Sequence, residues 1–273
     1  MFPGSRAATR VAGAALLATA ALCAPSALAG PPPAAEAGAS VVAVAAASDV
    51  QPAFEDLATA FAAEHPGIAV RPTFGASGTF YAQLESRAPF DVFLSADSDY
   101  PRRLREKGLV LDSEFRYAQG RLALWLSRSS GLTADADGLA VLRDARIRHV
   151  AIANPQHAPY GRAADAALRS AGVYDDVRAK IVLGENVAQA AHFARSGAAD
   201  AALISLSLAG SPAMREEGQS YEVPSGTYPA LDQTGVVLSW AQDASAARAF
   251  RDFLCGPKGR EILSRHGLSP AEP

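Results

Sequence analysis

The chain has 273 residues, 25 basic and 28 acidic, for a net charge of −3, and only two cysteines. That mildly acidic balance lacks the basic surface that nucleic acid requires. It also means that an anion, if bound, must be held by local geometry and not by the field of the whole molecule.

The first 29 residues read as an export signal. Arg6 and Arg10 open it without any acidic residue. An Ala/Leu-rich core follows from Val11 to Ala24, too short to span a bilayer, and Ala27-Leu28-Ala29 supplies an A-x-A cleavage site. Leu22 before Cys23 speaks against a lipoprotein signal, which wants a small residue there. Cleavage after Ala29 removes two positive charges, taking the net charge from −3 to −5, and leaves Cys255 as the sole cysteine. An internal disulfide and a cysteine-built zinc or iron–sulfur site are then excluded. Residues 30–39, with Pro31-Pro32-Pro33, read as a mobile leader. No later stretch is long and apolar enough to cross a membrane.

From residue 40, short apolar runs alternate with helical periodicity, the pattern of βα units and largely parallel sheets. Ser40–Ala46 reads as a strand. Phe54, Leu57, Ala58 and Phe61 then recur at helical spacing until Pro66-Gly67. Ile68–Phe74 is the next strand, followed by a helix over Thr79–Arg87, a strand at Asp91–Ser95 and a helix from Pro101 to Gly108. The rhythm restarts near Tyr117. Strands are expected at Arg121–Ser127, His149–Ala153, Lys180–Leu183 and Ala201–Ser205. Helices are expected at Arg162–Ala171 and Val187–Ser196, each stopped by a glycine. A final strand at Gly235–Trp240 precedes an amphipathic helix through Ala246, Phe250, Phe253 and Leu254 and a last helix opened by Pro257. Two similar α/β halves emerge, one inserted in the other. The first comprises 40–118 and 226–273, the second 119–225, with crossings near 115–120 and 224–230. A cleft between such halves is a preferred ligand site.

Four strand-to-helix turns carry the chemistry: Ala47-Ser48-Asp49, Gly75-Ala76-Ser77-Gly78-Thr79, Ala158-Pro159-Tyr160-Gly161 and Gly184-Glu185-Asn186-Val187. A helix start offers unpaired N–H groups and the positive end of its dipole, suited to an anion. Hydroxyls of Ser48, Ser77 and Tyr160 add uncharged donors. For any one turn, plain helix capping is the ordinary reading, and Asp49 and Glu185 oppose an anion unless they point away. Four such turns, two from each half, shift the balance toward a ligand.

Enzyme signatures are thin. No G-x-S-x-G, Walker loop or H-E-x-x-H occurs, and the five histidines share no metal-ligand spacing. A Ser48–His157 hydrolase is the residual enzymatic reading, without an orienting partner for the base. Arg102, Arg103 and Arg105 form a basic cluster that reads as a solvated helix face, with partner docking as the alternative.

The run AVAAASDVQPAFEDLATAFAAEHPGIAV, then FGASGTFYAQLESRAPFDVFLSAD, resembles the molybdate-binding component of ABC transporters. NPQHAPYGRAADAAL, GENVAQAAHFARSGAADAALISLS and FLCGPKGREILSRHG continue the resemblance, in order, from about residue 40 onward. The resemblance implies an α/β, two-lobed type II periplasmic binding protein fold with the ligand cleft between the lobes. It implies a periplasmic protein that captures molybdate or tungstate, needs no cofactor, has no catalytic residues, and serves the membrane permease of an ABC importer as a monomer. Carried over by position, Ser48 and Ser77 donate from lobe one, and Val187 donates its backbone N–H from lobe two. Tyr160 stands where part of the family uses a tyrosine. Members lacking it carry a tyrosine at the position of Ser205, so here Tyr160 is expected to supply the only phenolic donor. Molybdenum is thus bound as its oxyanion, with no direct side-chain ligand to the metal. A pocket of donors alone suits a fully deprotonated dianion. It does not separate molybdate from sulfate, thiosulfate or another small solute.

Overall fold

The structure, a computed structural model, describes residues 40–134 and 138–271. The expected signal and leader lie outside the described residues. In chain order the elements are β1 (Ser40–Ala47), α1 (Gln51–Glu64), β2 (Ile68–Gly75), α2 (Ser77–Glu85), β3 (Val92–Ser95), α3 (Asp99–Glu106), β4 (Phe115–Gly120) and β5 (Leu122–Ser127). Then come β6 (Val150–Ala153), α4 (Pro159–Ser170), α5 (Tyr174–Val177), β7 (Ile181–Gly184), α6 (Val187–Arg195), β8 (Ala201–Ser205), α7 (Leu206–Ala209) and α8 (Pro212–Glu217). β9 (Gly218–Glu222), β10 (Leu231–Val237), α9 (Ala244–Cys255) and α10 (Pro257–Arg265) complete the chain.

Two five-stranded sheets result, ordered β2-β1-β3-β10-β4 and β7-β6-β8-β5-β9. They share one plan. Three parallel strands stand at one side, and an antiparallel strand (β10 or β5) joins them to the fifth. The sheets are therefore mixed, a correction to the largely parallel expectation. The reason is the insertion: each crossing strand enters its sheet from the cleft side and must run against its neighbours. Strand β10 lies at Leu231–Val237, earlier than the expected Gly235–Trp240. The exposed edge strand β9, Gly-Gln-Ser-Tyr-Glu, carries too little apolar signal to be read as a strand.

The first sheet is buried on both faces, as a sheet covered by helices must be. Val42, Val44 and Ala46 of β1 pack against Phe54, Leu57, Phe61 and Phe250 of α1 and α9. Ala45, on the opposite face, packs with Phe80, Leu84, Phe93 and Leu104 beneath α2 and α3. In the second lobe one core includes Leu124, Trp125, Ile152, Leu168 and Leu203. Ala47, Ala76 and Ala96, which end or follow β1, β2 and β3, belong to that second core. The lobes are closed on each other, and small side chains at the strand ends permit it.

Close helix–strand packing also places Tyr160. Gly161 sits over the end of β6, and an added Cβ would overlap the Ala153 carbonyl and lie 2.8 Å from Asn154 C and Pro155 N, all backbone atoms. Gly161→Ala should therefore push the start of α4 outward and cost about 1–3 kcal/mol, as overpacking does. Chemical denaturation would read this as a lowered midpoint with an unchanged slope.

Candidate functional site

The first helical turns run longer than apolar periodicity shows. Helix α2 begins at Ser77 and α4 at Pro159, two and three residues before the expected starts. Ser77 and Tyr160 are thus first-turn residues, and Val187 opens α6. Ser48 and Asp49 lie in a short 3-10 turn between β1 and α1. These starts converge at the carboxyl ends of the parallel strands, where open α/β sheets hold ligands.

A single small cavity between the lobes, with about 200 Å³ of empty space, unites all four expected residues. Its walls are Ala47, Ser48, Asp49, Gly75, Ala76, Ser77 and Ala96 from lobe one, and Ala158, Pro159, Tyr160, Asn186 and Val187 from lobe two. Capping explains only one of these starts. Asn186 Oδ1 accepts from Gln189 N at 3.0 Å and caps α6. The turn at Ser48 and helices α1, α2 and α4 have no side-chain cap among the described residues. Of the first-turn amides of α2 and α4, Gly78 N is taken by His157 O and Gly161 N by Ala158 O, and Pro159 has no N–H, which leaves those of Ser77 and Tyr160 for another partner.

The hydroxyls differ in what they offer. Ser77 Oγ accepts from Ala96 N at 3.0 Å, which leaves its proton to give. Ser48 Oγ donates to Gly75 O at 3.0 Å and must turn to meet a ligand. Tyr160 is 2% exposed, and its hydroxyl donates to Asp49 Oδ2 at 3.2 Å. Ser205 is not part of the wall: its Oγ caps α7 by accepting from Leu208 N at 3.2 Å.

The two acidic residues behave oppositely. Glu185 is exposed, away from the cavity. Asp49 is fully buried in the wall, so the pocket is not made of donors alone, a correction to the sequence expectation. Gln233 Nε2 and Tyr160 both donate to Asp49 Oδ2, while Asp49 Oδ1 and Gln233 Oε1 have no partner among the described residues. Burial pushes the Asp49 carboxyl up to about 6, against the opposing pull of those hydrogen bonds. Burial, and then the nearby Asp49 charge, hold the Tyr160 phenol well above its ordinary range. Gln233 reaches the cluster from β10, where it pairs with Ala118 beside a register shift that leaves Tyr117 as the extra residue of β4.

Other groups fasten the lobes together. Gly78 N donates to His157 O at 2.8 Å, and Ser207 Oγ donates to Asp49 O at 2.6 Å. Arg162 Nη2 meets Asp97 Oδ2 at 2.5 Å, with its guanidinium 5.5 Å from the centre of the Tyr100 ring. Burial raises the Asp97 pKa, and the Arg162 charge opposes the rise. Sequence reasoning missed Gln233, Ser207, Asp97 and Arg162 as partners, since each pairs across the chain with no local motif. His157 is absent from the cavity wall, and among the described residues Ser48 Oγ is hydrogen-bonded to the Gly75 carbonyl and to no base. The arginines of α3 are engaged on a solvated face, with Arg102 on Asp99 at 2.6 Å and Arg103 over the Tyr81 ring.

A family model described as "Bacterial extracellular solute-binding protein" matches residues 42–269. The chain is 37% identical over 235 residues to the molybdate-binding protein ModA of Azotobacter vinelandii, covering 86% of this chain and 92% of that protein. It is likewise 37% identical over 232 residues to ModA of Rhodobacter capsulatus, covering 85% and 88%. Among solved structures, the periplasmic molybdate-binding protein of Azotobacter vinelandii superposes with a TM-score of 0.78 at 33% identity, covering 85% of this chain and all of the other. The two-lobed architecture with an interlobe cavity accords with the solute-binding family that these matches share. The chain belongs to the bacterial extracellular solute-binding protein family.

The Arg162–Asp97 pair closes one side of the cleft, with Asp97 only 12% exposed. Arg162→Ala should leave that carboxylate buried without its cation and shift the ligand-free protein toward an open form. A charge-assisted contact of about 1.5–3 kcal/mol corresponds to roughly ten- to a hundred-fold in the closed-to-open ratio. Small-angle scattering should show a larger radius of gyration than for the parent protein.

Proposed function

We propose that this protein captures molybdate, and tungstate in the same manner, and delivers it to the membrane permease of an ABC importer. The observation that carries the reading is the convergence of uncapped helix starts and three hydroxyls on one interlobe cavity, in a chain 37% identical to proteins named for molybdate. Ser48, Ser77, Tyr160 and the Val187 amide are the donors. Each hydrogen bond to a charged acceptor contributes about 1.5–3 kcal/mol. Because the donors come from both sheets, the anion is fully coordinated only when the lobes meet, and it stabilises the closed form by its differential affinity. A permease that distinguishes closed from open then receives only loaded protein.

Lobe one is 40–118 with 226–273 and lobe two is 119–225, a division supported by strand membership except that β4 of the first sheet runs on to Gly120. The protein acts as a monomer in the periplasm, after signal cleavage near Ala29. No cofactor enters the cycle.

Mature protein should gain thermal stability with sodium molybdate or tungstate and little with sulfate or thiosulfate at equal concentration, since a ligand that binds only the folded state raises its stability. An equal or larger shift with sulfate reassigns the ligand. Ser77→Ala should weaken molybdate binding by the loss of one donor. Tyr160→Phe, which keeps the ring and removes one hydroxyl, should weaken it about ten- to a hundred-fold in calorimetric titration. Ser205→Ala should change affinity much less, as expected of a helix cap. Unchanged affinity in Tyr160→Phe would remove Tyr160 from the donor set.

A further inference from the structure

A tyrosine hydroxyl has one proton to give. That of Tyr160 goes to Asp49 Oδ2, so in this arrangement it cannot also be given to an anion in the cavity. Asp49 is itself a wall of that cavity, is fully buried, and has no cationic partner among the described residues. A dianion beside an ionised Asp49 would place like charges together in a dry space while the one phenolic donor points the wrong way.

Among the described residues, the groups around Asp49 offer no compensating charge. Helix α4 presents the Tyr160 phenol, β10 the Gln233 amide and α7 the Ser207 hydroxyl. Strand β4 presents the Tyr117 phenol, which donates to Ser95 O at 3.1 Å, and Asp97 is matched by Arg162. Glu55 of α1, with His192 and Arg195 of α6, lines a separate groove and not this cavity.

Building on the oxyanion reading above, we infer that the protein takes up its dianion together with one proton, which comes from water and settles on Asp49. The new O–H forms on Oδ2 and donates to the Tyr160 oxygen. The Tyr160 proton is thereby released from Asp49 and turns to the anion. No covalent bond to the anion is made, and the site gains one proton and one dianion. Burial already raises the Asp49 carboxyl to about 6 before any anion arrives, and a neighbouring dianion acts in the same direction. Above that pH, free Asp49 is ionised and must be protonated on binding.

Calorimetric titration of the mature protein with sodium molybdate at pH 7.5, in buffers of different ionisation enthalpy, measures the proton count directly. Uptake of about one proton per molybdate is expected, with affinity weakening about tenfold per pH unit between pH 7 and 8.5, where molybdate itself stays a dianion. Asp49→Asn cannot gain the proton, so its affinity should be independent of pH. Identical observed enthalpies in all buffers for the parent protein overturn the inference, and uptake that persists in Asp49→Asn overturns its assignment to Asp49. The carboxyl carbon resonance of Asp49 in the unaltered protein provides the same assignment without a variant, since it should move to the protonated position on adding molybdate. Absence of binding to molybdate, tungstate and sulfate alike would instead remove the oxyanion reading on which this rests.

Discussion

Backbone amides in the first turn of a helix have no partner inside that helix, and a buried helix start must find one elsewhere. Here helices α2, α4 and α6 and the Ser48–Val50 turn bring such amides to one small cavity, and only α6 carries a side-chain cap. Much of the local architecture serves this convergence. Parallel strands end at the same level, glycine at 78 and alanines at 47, 76 and 96 let the two sides approach, and the helix dipoles meet across the cleft.

Closure is held by a few contacts of different character. Gly78 to His157 is backbone to backbone, Arg162 to Asp97 is ionic, and the Tyr160–Asp49–Gln233 cluster joins both lobes to the crossing strand β10. Ser205 and Ser207, 2.9 Å apart at their hydroxyls, extend that cluster to the start of α7. Asp49 is therefore both a wall of the cavity and a fastening of the lobes. Whatever alters its charge acts on ligand and closure at once.

Much of the architecture was legible because apolar periodicity is strong in β1, α1, β5 and α9, where Val44, Phe54, Trp125 and Phe250 must face a core. The turns at Ser48, Ser77, Tyr160 and Val187 were legible from residue type and position after a strand. Helix starts were placed late, since Ser77-Gly78 and Pro159-Tyr160-Gly161 belong to the first turn without showing its periodicity. The strand direction of β10 and the partners of Asp49 were not legible at all. Asp49 and Gln233 are 184 positions apart in the sequence, and only the pairing of β10 into the first sheet brings that glutamine to the carboxylate. A buried acid beside an anion site reads, one residue at a time, as an argument against the site.

The placement of β10 also constrains how the chain becomes a protein. It lies between β3 and β4, so the first sheet cannot be completed until residues beyond 231 are present, whereas strands β5 to β9 fall within residues 122–222. As a chain emerges from its amino terminus, the inserted lobe appears whole while the lobe that precedes it still lacks the strand between β3 and β4. The order of assembly therefore inverts the order of the sequence, with the later-emerging half in a position to settle first and the earlier half waiting on the tail. Long-range pairing of that kind is slow to form. Until the tail arrives, the facing edges of β3 and β4 lack the strand that pairs them, and unpaired edges are where chains associate wrongly.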